Sequence, residues 1–192
     1  PGFRVGDGVV QTQGGIRAEL TPFGKIIGGG FPIGAVGGPR HLMQQLAPEG
    51  PVYHGGTFAG HPVSMAAGCA VLTELEAHPP YARLEHHGQY LEAGLNTLAM
   101  TYGIPLHVNR VGSMLTVFFS ETPIRHQADV QVSHREQFAT WANGLKARGI
   151  LVPPSPVEAL FLSTAHTEAH LDRVLAASQE VFTLMRSDRG QA

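Results

Sequence analysis

The sequence predicts a mixed α/β protein in which a glycine-rich segment (1–62) and two helical patterns (up to 102) precede a small α+β domain (103–192). Apolar residues make up 43% of the 192 residues, which is enough for an ordinary buried core. Sixteen of the 24 glycines fall within the first 60 residues, where helical periodicity is weak. Beyond Pro62, amphipathic helical patterns alternate with short apolar runs, which is typical of mixed structure.

Four helices follow from apolar spacing and end signals. Pro62 suits the first turn of a helix that extends to residue 77, whose small residues predict close packing on several sides with Cys69 in the core. The second helix covers 81–102, and a third follows a capping box at 133–136. The last helix is predicted over 167–186. The expected buried positions of the second, third and last helices are Leu84, Leu91, Leu95, Leu98 and Tyr102; Phe138, Trp141, Ala142 and Leu145; and Leu171, Val174, Leu175, Phe182 and Met185.

Short apolar runs between these helices predict strands. Residues 106–119 read as two strands around Gly112, and 150–152 and 159–162 are two further candidates. The resulting order of helices and strands predicts an antiparallel sheet covered by helices.

Composition excludes several classes of function. The formal charge of −2 attracts neither nucleic acid nor an anionic membrane, and no apolar run is long enough to span a bilayer. A single cysteine forms no internal disulfide, so we expect a reducing compartment. The eleven histidines predict no metal site, because His166 and His170 lack a third ligand at a useful spacing.

Lys25 is one of only two lysines and lies among glycines and apolar residues at 22–34. Such a segment predicts buried backbone, and burial favours the neutral form of an amine. A neutral lysine is a nucleophile that typically forms a Schiff base with a carbonyl compound. The alternative is that Lys25 extends from an apolar turn into solvent.

The segment Gly55-Gly56-Thr57 precedes the helix that begins at Pro62. Backbone N–H groups, a hydroxyl and a helix N-terminus together predict an anion site, to which Arg40 and Arg110 could contribute charge. The alternative is an ordinary helix-entry turn in which Thr57 bonds its own backbone.

These segments resemble a known family. Residues 24–35 (GKIIGGGFPIGA) resemble the lysine segment of class III, fold-type I pyridoxal-phosphate (PLP) aminotransferases, and 55–62 resemble that family's phosphate-binding turn. Within the family, 110–119 (RVGSMLTVFF) and 154–167 (PSPVEALFLSTAHT) are similar to the glutamate-1-semialdehyde aminomutases.

The resemblance implies a fold and a set of roles. Residues 1–102 would be the C-terminal part of the PLP-binding large domain with a connecting helix, and 103–192 the small C-terminal domain. Lys25 would hold the cofactor and move protons, Thr57 and Gly56 would bind its phosphate in a homodimer, and Glu158 would lie near the substrate. The implied reaction is an internal amino shift that yields 5-aminolevulinate. For Glu158, a solvated loop carboxylate is the alternative.

The chain also departs from the family pattern. The strand that carries the family's cofactor-pairing aspartate would fall before Pro1, and His61 replaces a common asparagine. We therefore expect an incomplete portion of an enzyme that is inactive in isolation. The alternatives are another class III aminotransferase acting on an amine or ω-amino acid, and a non-catalytic truncated relative.

Overall fold

The computed structural model describes residues 3–6, 11 and 14–189, and these form two compact units that meet in sequence between Pro80 and Tyr81. The outer ends of both predicted segments, 1–2 and 190–192, lie outside the described residues. Prediction placed the helix over 81–102 with the first segment. In the structure this helix belongs to the second unit, because it packs against the C-terminal helix and the sheet.

The described elements of the first unit are a small hairpin and, after it, two α-helices. Strand β1 (Thr21–Gly24) pairs antiparallel with β2 (Gly34–Gly37), and a 3₁₀ helix (Lys25–Gly28) begins the loop between them. A short helix α1 (Arg40–Met43) and the longer α2 (Pro62–Ala77) follow. The predicted first turn at Pro62 is confirmed.

The second unit is a three-stranded antiparallel sheet with helices around it. Helix α3 (Tyr81–Tyr102) leads into β3 (Leu106–Val111) and β4 (Met114–Phe119), which pair in register around Gly112. After α4 (Gln127–Gln131) and α5 (Arg135–Ala147), the two-residue strand β5 (Leu160–Phe161) pairs with β4. Helix α6 (Glu168–Arg189) ends the described chain.

Most of the buried apolar side chains belong to this second unit. Trp141 is almost fully buried, and its ring lies 6.0 Å from Phe119 and 5.9 Å from Phe138. The Trp141 Nε1–H donates a hydrogen bond to the buried Ser178 hydroxyl at 3.1 Å, which satisfies the indole without breaking the apolar packing. All the predicted helix stripes are buried or partly buried.

Two local predictions for this unit were wrong. Residues 150–152 do not form a strand, because Pro153 and Pro154 follow them and proline donates no ladder hydrogen bond. The cap of α5 is His134 rather than Ser133, whose hydroxyl instead donates to the Val130 carbonyl at 2.7 Å.

The first unit has few buried side chains. Among its described residues, only Val5 and Ile27 are buried apolar side chains, whereas Tyr53 is 87% exposed. Helix α2 buries only Ser64 and Gly68, so the prediction that it is packed on several sides is wrong for this chain. Cys69 is exposed rather than in the core, because the described chain does not cover its face of the helix. No helix among the described residues is long and apolar enough to cross a bilayer.

Candidate active site

Lys25 occupies the end of β1, where the chain leaves the hairpin. Gly24 pairs with Gly34 as the last pair of the ladder, and Lys25 then adopts a left-handed conformation with φ of +58°. The following turn is closed by the Gly29 N–H donating to the Ile26 carbonyl at 3.1 Å. A non-glycine residue at such a φ is uncommon and costs about 1–2 kcal/mol.

Two glycines allow the lysine loop to lie directly against helix α2. A Cβ on Gly68 would stand 2.7 Å from the Ile27 carbonyl oxygen, and one on Gly29 would stand 2.7 Å from Val71 Cγ2. Both distances are too short for a side chain, so glycine is required at each position. The loop that carries Lys25 is therefore positioned by backbone packing on α2.

The side chain of Lys25 is exposed, so the predicted burial is wrong for this chain, and the alternative of a lysine that extends from an apolar turn into solvent is the one observed. Within the described part of the chain, its amine has no ion pair or hydrogen bond. The physical reason is that the loop packs on α2 through Ile27 and the glycines, while the lysine itself faces away from the small core of this unit. The amine is consequently free to meet a ligand.

Thr57 and Gly56 lie in an exposed turn before α2. The Ala59 N–H donates to the Gly56 carbonyl at 2.9 Å, and the His61 N–H donates to the Phe58 carbonyl at 3.1 Å. Thr57 makes no side-chain hydrogen bond to any described residue, so the alternative in which it bonds its own backbone is not observed. The space beside Gly56 is open, because no atom lies within 4 Å of where its Cβ would be.

His61 fixes the junction between this turn and the helix, and sequence reasoning did not assign it that role. Its Nδ1 lies 3.4 Å from the backbone nitrogen of Ser64 and accepts that N–H as a cap of α2. The Ser64 hydroxyl is also 3.4 Å from Nδ1, and Ser64 is 1% exposed. The signal that could have revealed this cap is the polar side chain immediately before Pro62 at the first helical position.

Glu158 lies in the second unit, in a turn immediately before β5. Its backbone N–H donates to the Ser155 carbonyl at 3.2 Å, and its carboxylate is exposed. That carboxylate has no ion pair in the part of the chain that the structure describes. This exposed position matches the alternative considered for Glu158, a solvated loop carboxylate.

Arg110 is not available as an anion partner, because two carboxylates already hold it. Its guanidinium lies 2.9 Å from Glu85 and 2.6 Å from Glu92 and donates to the Gly112 carbonyl at 3.0 Å, with 14% of the side chain exposed. Burial opposes the charged form, but the two glutamates outweigh it and raise the pKa of Arg110 above its ordinary value. Arg40 is exposed at the start of α1. The described residues contain no cluster of three or more side chains suited to a metal ion.

Comparison with known proteins identifies the family. The sequence profile of the class III aminotransferase family matches residues 4–177, which is most of the chain. This chain belongs to the class III aminotransferase family. Lys25, Gly56, Thr57 and Glu158 all lie within the matched region.

The curated relatives include two bacterial enzymes named glutamate-1-semialdehyde 2,1-aminomutase. The one from Thermomicrobium roseum is 48% identical over 93% of this chain, and the one from Sulfurihydrogenibium azorense is 43% identical over 96%. The matched segment covers 42% and 43% of those two proteins, so this chain spans less than half of their length.

Solved structures share the fold. A β-phenylalanine aminotransferase from Variovorax paradoxus is 32% identical with a TM-score of 0.81, and an ω-transaminase from Sphaerobacter thermophilus is 30% identical with the same score. Each alignment covers 94% of this chain and 42% of the other. These structures confirm the fold class predicted from the sequence, which is the mixed α/β fold of the PLP-dependent transferases.

Proposed function

We propose that this chain is the lysine-bearing part of an enzyme that converts glutamate 1-semialdehyde into 5-aminolevulinate, a precursor of tetrapyrroles. The observation that carries the proposal is the 48% identity to a glutamate-1-semialdehyde 2,1-aminomutase along nearly the whole chain. Product and substrate are isomers, so the reaction requires no external amino acceptor. Pyridoxal phosphate, when bound, supplies the electron sink for moving the amino group.

In this proposal residues 1–102 are the C-terminal part of the cofactor-binding large domain plus a connecting helix, and 103–192 are the small domain, against which that connecting helix packs. Lys25 holds the cofactor and transfers protons between neighbouring carbon atoms of the substrate. The match of the class III aminotransferase family over the Lys25 segment and the strained backbone at the end of β1 support that role. Further protein lying over the loop would exclude water from the amine.

Thr57 and Gly56 bind the cofactor phosphate. The Thr57 hydroxyl has no partner among the described residues, and the open space beside Gly56 lets an anion approach the backbone closely. The resemblance to the aminotransferase family assigns that phosphate to a neighbouring subunit, so we propose a homodimer. The same resemblance supports a cytoplasmic location.

Glu158 lies near the substrate in this proposal. Its unpaired carboxylate in an exposed turn is a suitable partner for an amino group. The turn is fixed by its connection to β5, which pairs with β4 within the sheet.

The lysine assignment is tested by trapping. Incubation of the 192-residue chain with pyridoxal phosphate, reduction with borohydride and peptide mass mapping should place the pyridoxyl label on Lys25 in preference to Lys146. Lys146 lies on the last turn of α5 and is exposed, so it serves as an internal control for surface reactivity. Equal labelling of both lysines would contradict the role of Lys25.

The phosphate assignment has its own test. Thr57→Val should weaken labelling by pyridoxal phosphate about tenfold, because one hydrogen bond to a charged group is lost. The same change should leave labelling by pyridoxal, which lacks the phosphate, unaltered. A parallel loss with both aldehydes would show that Thr57 acts through loop structure instead.

A second candidate is an aminotransferase that acts on an amine or ω-amino acid, supported by the 30–32% identity to the ω-transaminase and β-phenylalanine aminotransferase structures. A chimera in which this chain replaces its matched segment of the Thermomicrobium roseum enzyme distinguishes the two. Formation of 5-aminolevulinate without a 2-oxo acid supports the aminomutase, whereas turnover that depends on a 2-oxo acid supports the aminotransferase.

A further inference from the structure

The imidazole of His61 joins the turn that carries Thr57 to the first residues of helix α2. Its Nδ1 accepts the Ser64 N–H and lies 3.4 Å from the Ser64 hydroxyl as well. Ser64 is buried, and its hydroxyl has this ring nitrogen as its partner among the described residues. One imidazole nitrogen therefore serves two polar groups of a residue that solvent barely reaches.

The same residue closes the turn on its other side. The Phe58 carbonyl accepts the His61 N–H at 3.1 Å, and the Phe58 ring centroid lies 5.6 Å from that of the imidazole. The preceding hydrogen bond, from the Ala59 N–H to the Gly56 carbonyl, spans Thr57 itself. The orientation of Thr57 is therefore coupled to the position of the His61 ring through its neighbour Phe58.

The Nδ1 atom of His61 can accept these bonds only while the imidazole is neutral and carries its proton on Nε2. The asparagine that is common at this position in the family has its acceptor, Oδ1, the same number of bonds from the backbone. Asparagine keeps that acceptor at every pH, whereas histidine changes charge between about pH 8 and about pH 5. A protonated ring would leave the Ser64 N–H without an acceptor and would place a cation at the positive end of the helix dipole.

The charged groups around His61 do not compensate for that change. The turn 55–61 has no other titratable side chain. The acids of α2, Glu74 and Glu76, lie in its last turn, about 20 Å along the helix axis. The loop that packs against α2 contributes Lys25, whose side chain is exposed. Protonation of His61 would thus add a cation without a described carboxylate beside it.

We infer that His61 is a positioning residue for the cofactor phosphate, because its neutral imidazole holds the Thr57 turn in place and protonation frees that turn. This inference rests on the proposed role of Thr57 in binding the phosphate. It predicts a pH dependence opposite to simple charge attraction, since an imidazolium that merely faced the phosphate would strengthen binding in acid. Acid should instead weaken the contribution of the phosphate in this chain.

The experiment compares labelling of Lys25 by pyridoxal phosphate and by pyridoxal, each followed by borohydride reduction, at about pH 8 and about pH 5. The ratio of the two labels isolates the phosphate, because both aldehydes react with the same amine. On acidification this ratio should fall about fivefold more in the parent chain than in His61→Asn, which keeps the cap at both pH values. His78→Asn is the matched control, because it replaces a histidine at the other end of α2 and should behave like the parent.

A second measurement requires no cofactor. Hydrogen exchange at the Ser64 amide, relative to its rate in an unfolded peptide, should become about fivefold faster on acidification in the parent chain and stay constant in His61→Asn. Exchange that does not respond to pH in the parent would overturn the inference. A label ratio that changes equally in both proteins, or that rises in acid, would also overturn it and leave the role of Thr57 intact. Equal labelling by both aldehydes in every protein would contradict the phosphate site itself, and this inference with it.

Discussion

Lys25 and Arg110 are basic residues that differ in their exposure and in their number of partners within the chain. Lys25 is exposed, unpaired among the described residues and held in a strained left-handed conformation. Arg110 has two carboxylate partners and a backbone carbonyl, and little of its side chain reaches solvent. A side chain without internal partners retains its capacity for a ligand, whereas the partners of Arg110 commit it to the fold.

Arg110→Met should destabilise the second unit by about 2–3 kcal/mol, because Glu85 and Glu92 would face each other without a cation in a partly buried place. Denaturant unfolding monitored by Trp141 fluorescence measures this loss. Addition of Glu85→Gln and Glu92→Gln to the same protein should recover most of it. A triple variant as unstable as the single one would mean that Arg110 acts through packing alone.

At the scale of elements, small residues determine which surfaces meet. The lysine loop lies on α2 only because Gly29 and Gly68 bring two backbones together. In the second unit, Gly88 of α3 serves the same purpose, because a Cβ there would stand 2.3 Å from the Gly112 carbonyl oxygen at the tip of the β3–β4 hairpin. Glycine thus positions both the candidate active loop and the sheet.

Gly68→Ala should displace the lysine loop and cost about 1–3 kcal/mol, since the new methyl group meets the Ile27 carbonyl and cannot be accommodated by a rotamer change. Hydrogen exchange should become faster at the amides of Gly29 and Phe31, which close this turn. Gly34→Ala is the control, because no atom lies within 4 Å of its Cβ position. Unchanged exchange in Gly68→Ala would show that α2 does not position the loop.

A hydrogen-bonded carboxylate at the N-terminus of α4 makes the folded chain less stable at acidic pH. The N–H groups of Arg125 and His126 donate to Asp129, and these bonds hold the pKa of that carboxyl below its ordinary value. The stabilisation is therefore present above the unfolded-state pKa, about 3.9, and is lost as the pH falls through the lower folded-state value.

Asp129→Asn should accordingly lower the melting temperature at neutral pH, because it removes the charge while keeping an acceptor. The difference from the parent chain should shrink to nothing at strongly acidic pH, where Asp129 is protonated in both states. Thermal unfolding of both proteins across a pH series measures this difference in melting temperature. A difference that stays constant with pH would mean that the carboxylate charge contributes nothing.

At the scale of the whole molecule, the two units differ in how completely they bury their apolar side chains. The second unit has an extensive core, whereas the first leaves Ile16, Tyr53 and Phe58 more than 60% exposed. Apolar exposure of this extent is typical of surfaces that contact other protein. The coverage of the aminomutase relatives agrees, because more than half of their length has no counterpart here.

The isolated chain should therefore associate in solution and have no useful turnover. Light scattering after size exclusion should show species larger than a monomer, and Tyr53→Ser with Phe58→Ser should shift them toward the monomer. Arg135→Gln, at a polar exposed position, should leave the distribution unchanged. A monomeric parent chain, or one that forms 5-aminolevulinate at an ordinary enzyme's rate, would contradict this expectation.

Local patterns predicted most of the secondary structure. The spacing of Leu84, Leu91 and Leu95 predicted helix α3, and Gly112 predicted the turn of the β3–β4 hairpin. Both could be predicted because the periods of helices and strands appear in the spacing of residues along the chain. The missing strand at 150–152 could have been anticipated, because Pro153 and Pro154 are visible in the sequence. The shifted cap of α5 was not predictable in the same way, because the Ser133 hydroxyl donates to the Val130 carbonyl in the folded chain.

The sequence by itself determined the order of elements, the apolar stripes of the second unit and the family likeness around Lys25 and Thr57. Only the tertiary structure decided that Lys25 is exposed, that Arg110 is held by Glu85 and Glu92, and that the Glu158 carboxylate is exposed in a turn. The physical reason is that periodicity arises from neighbours along the chain, whereas burial and charge pairing depend on which distant segments are present to cover a side chain.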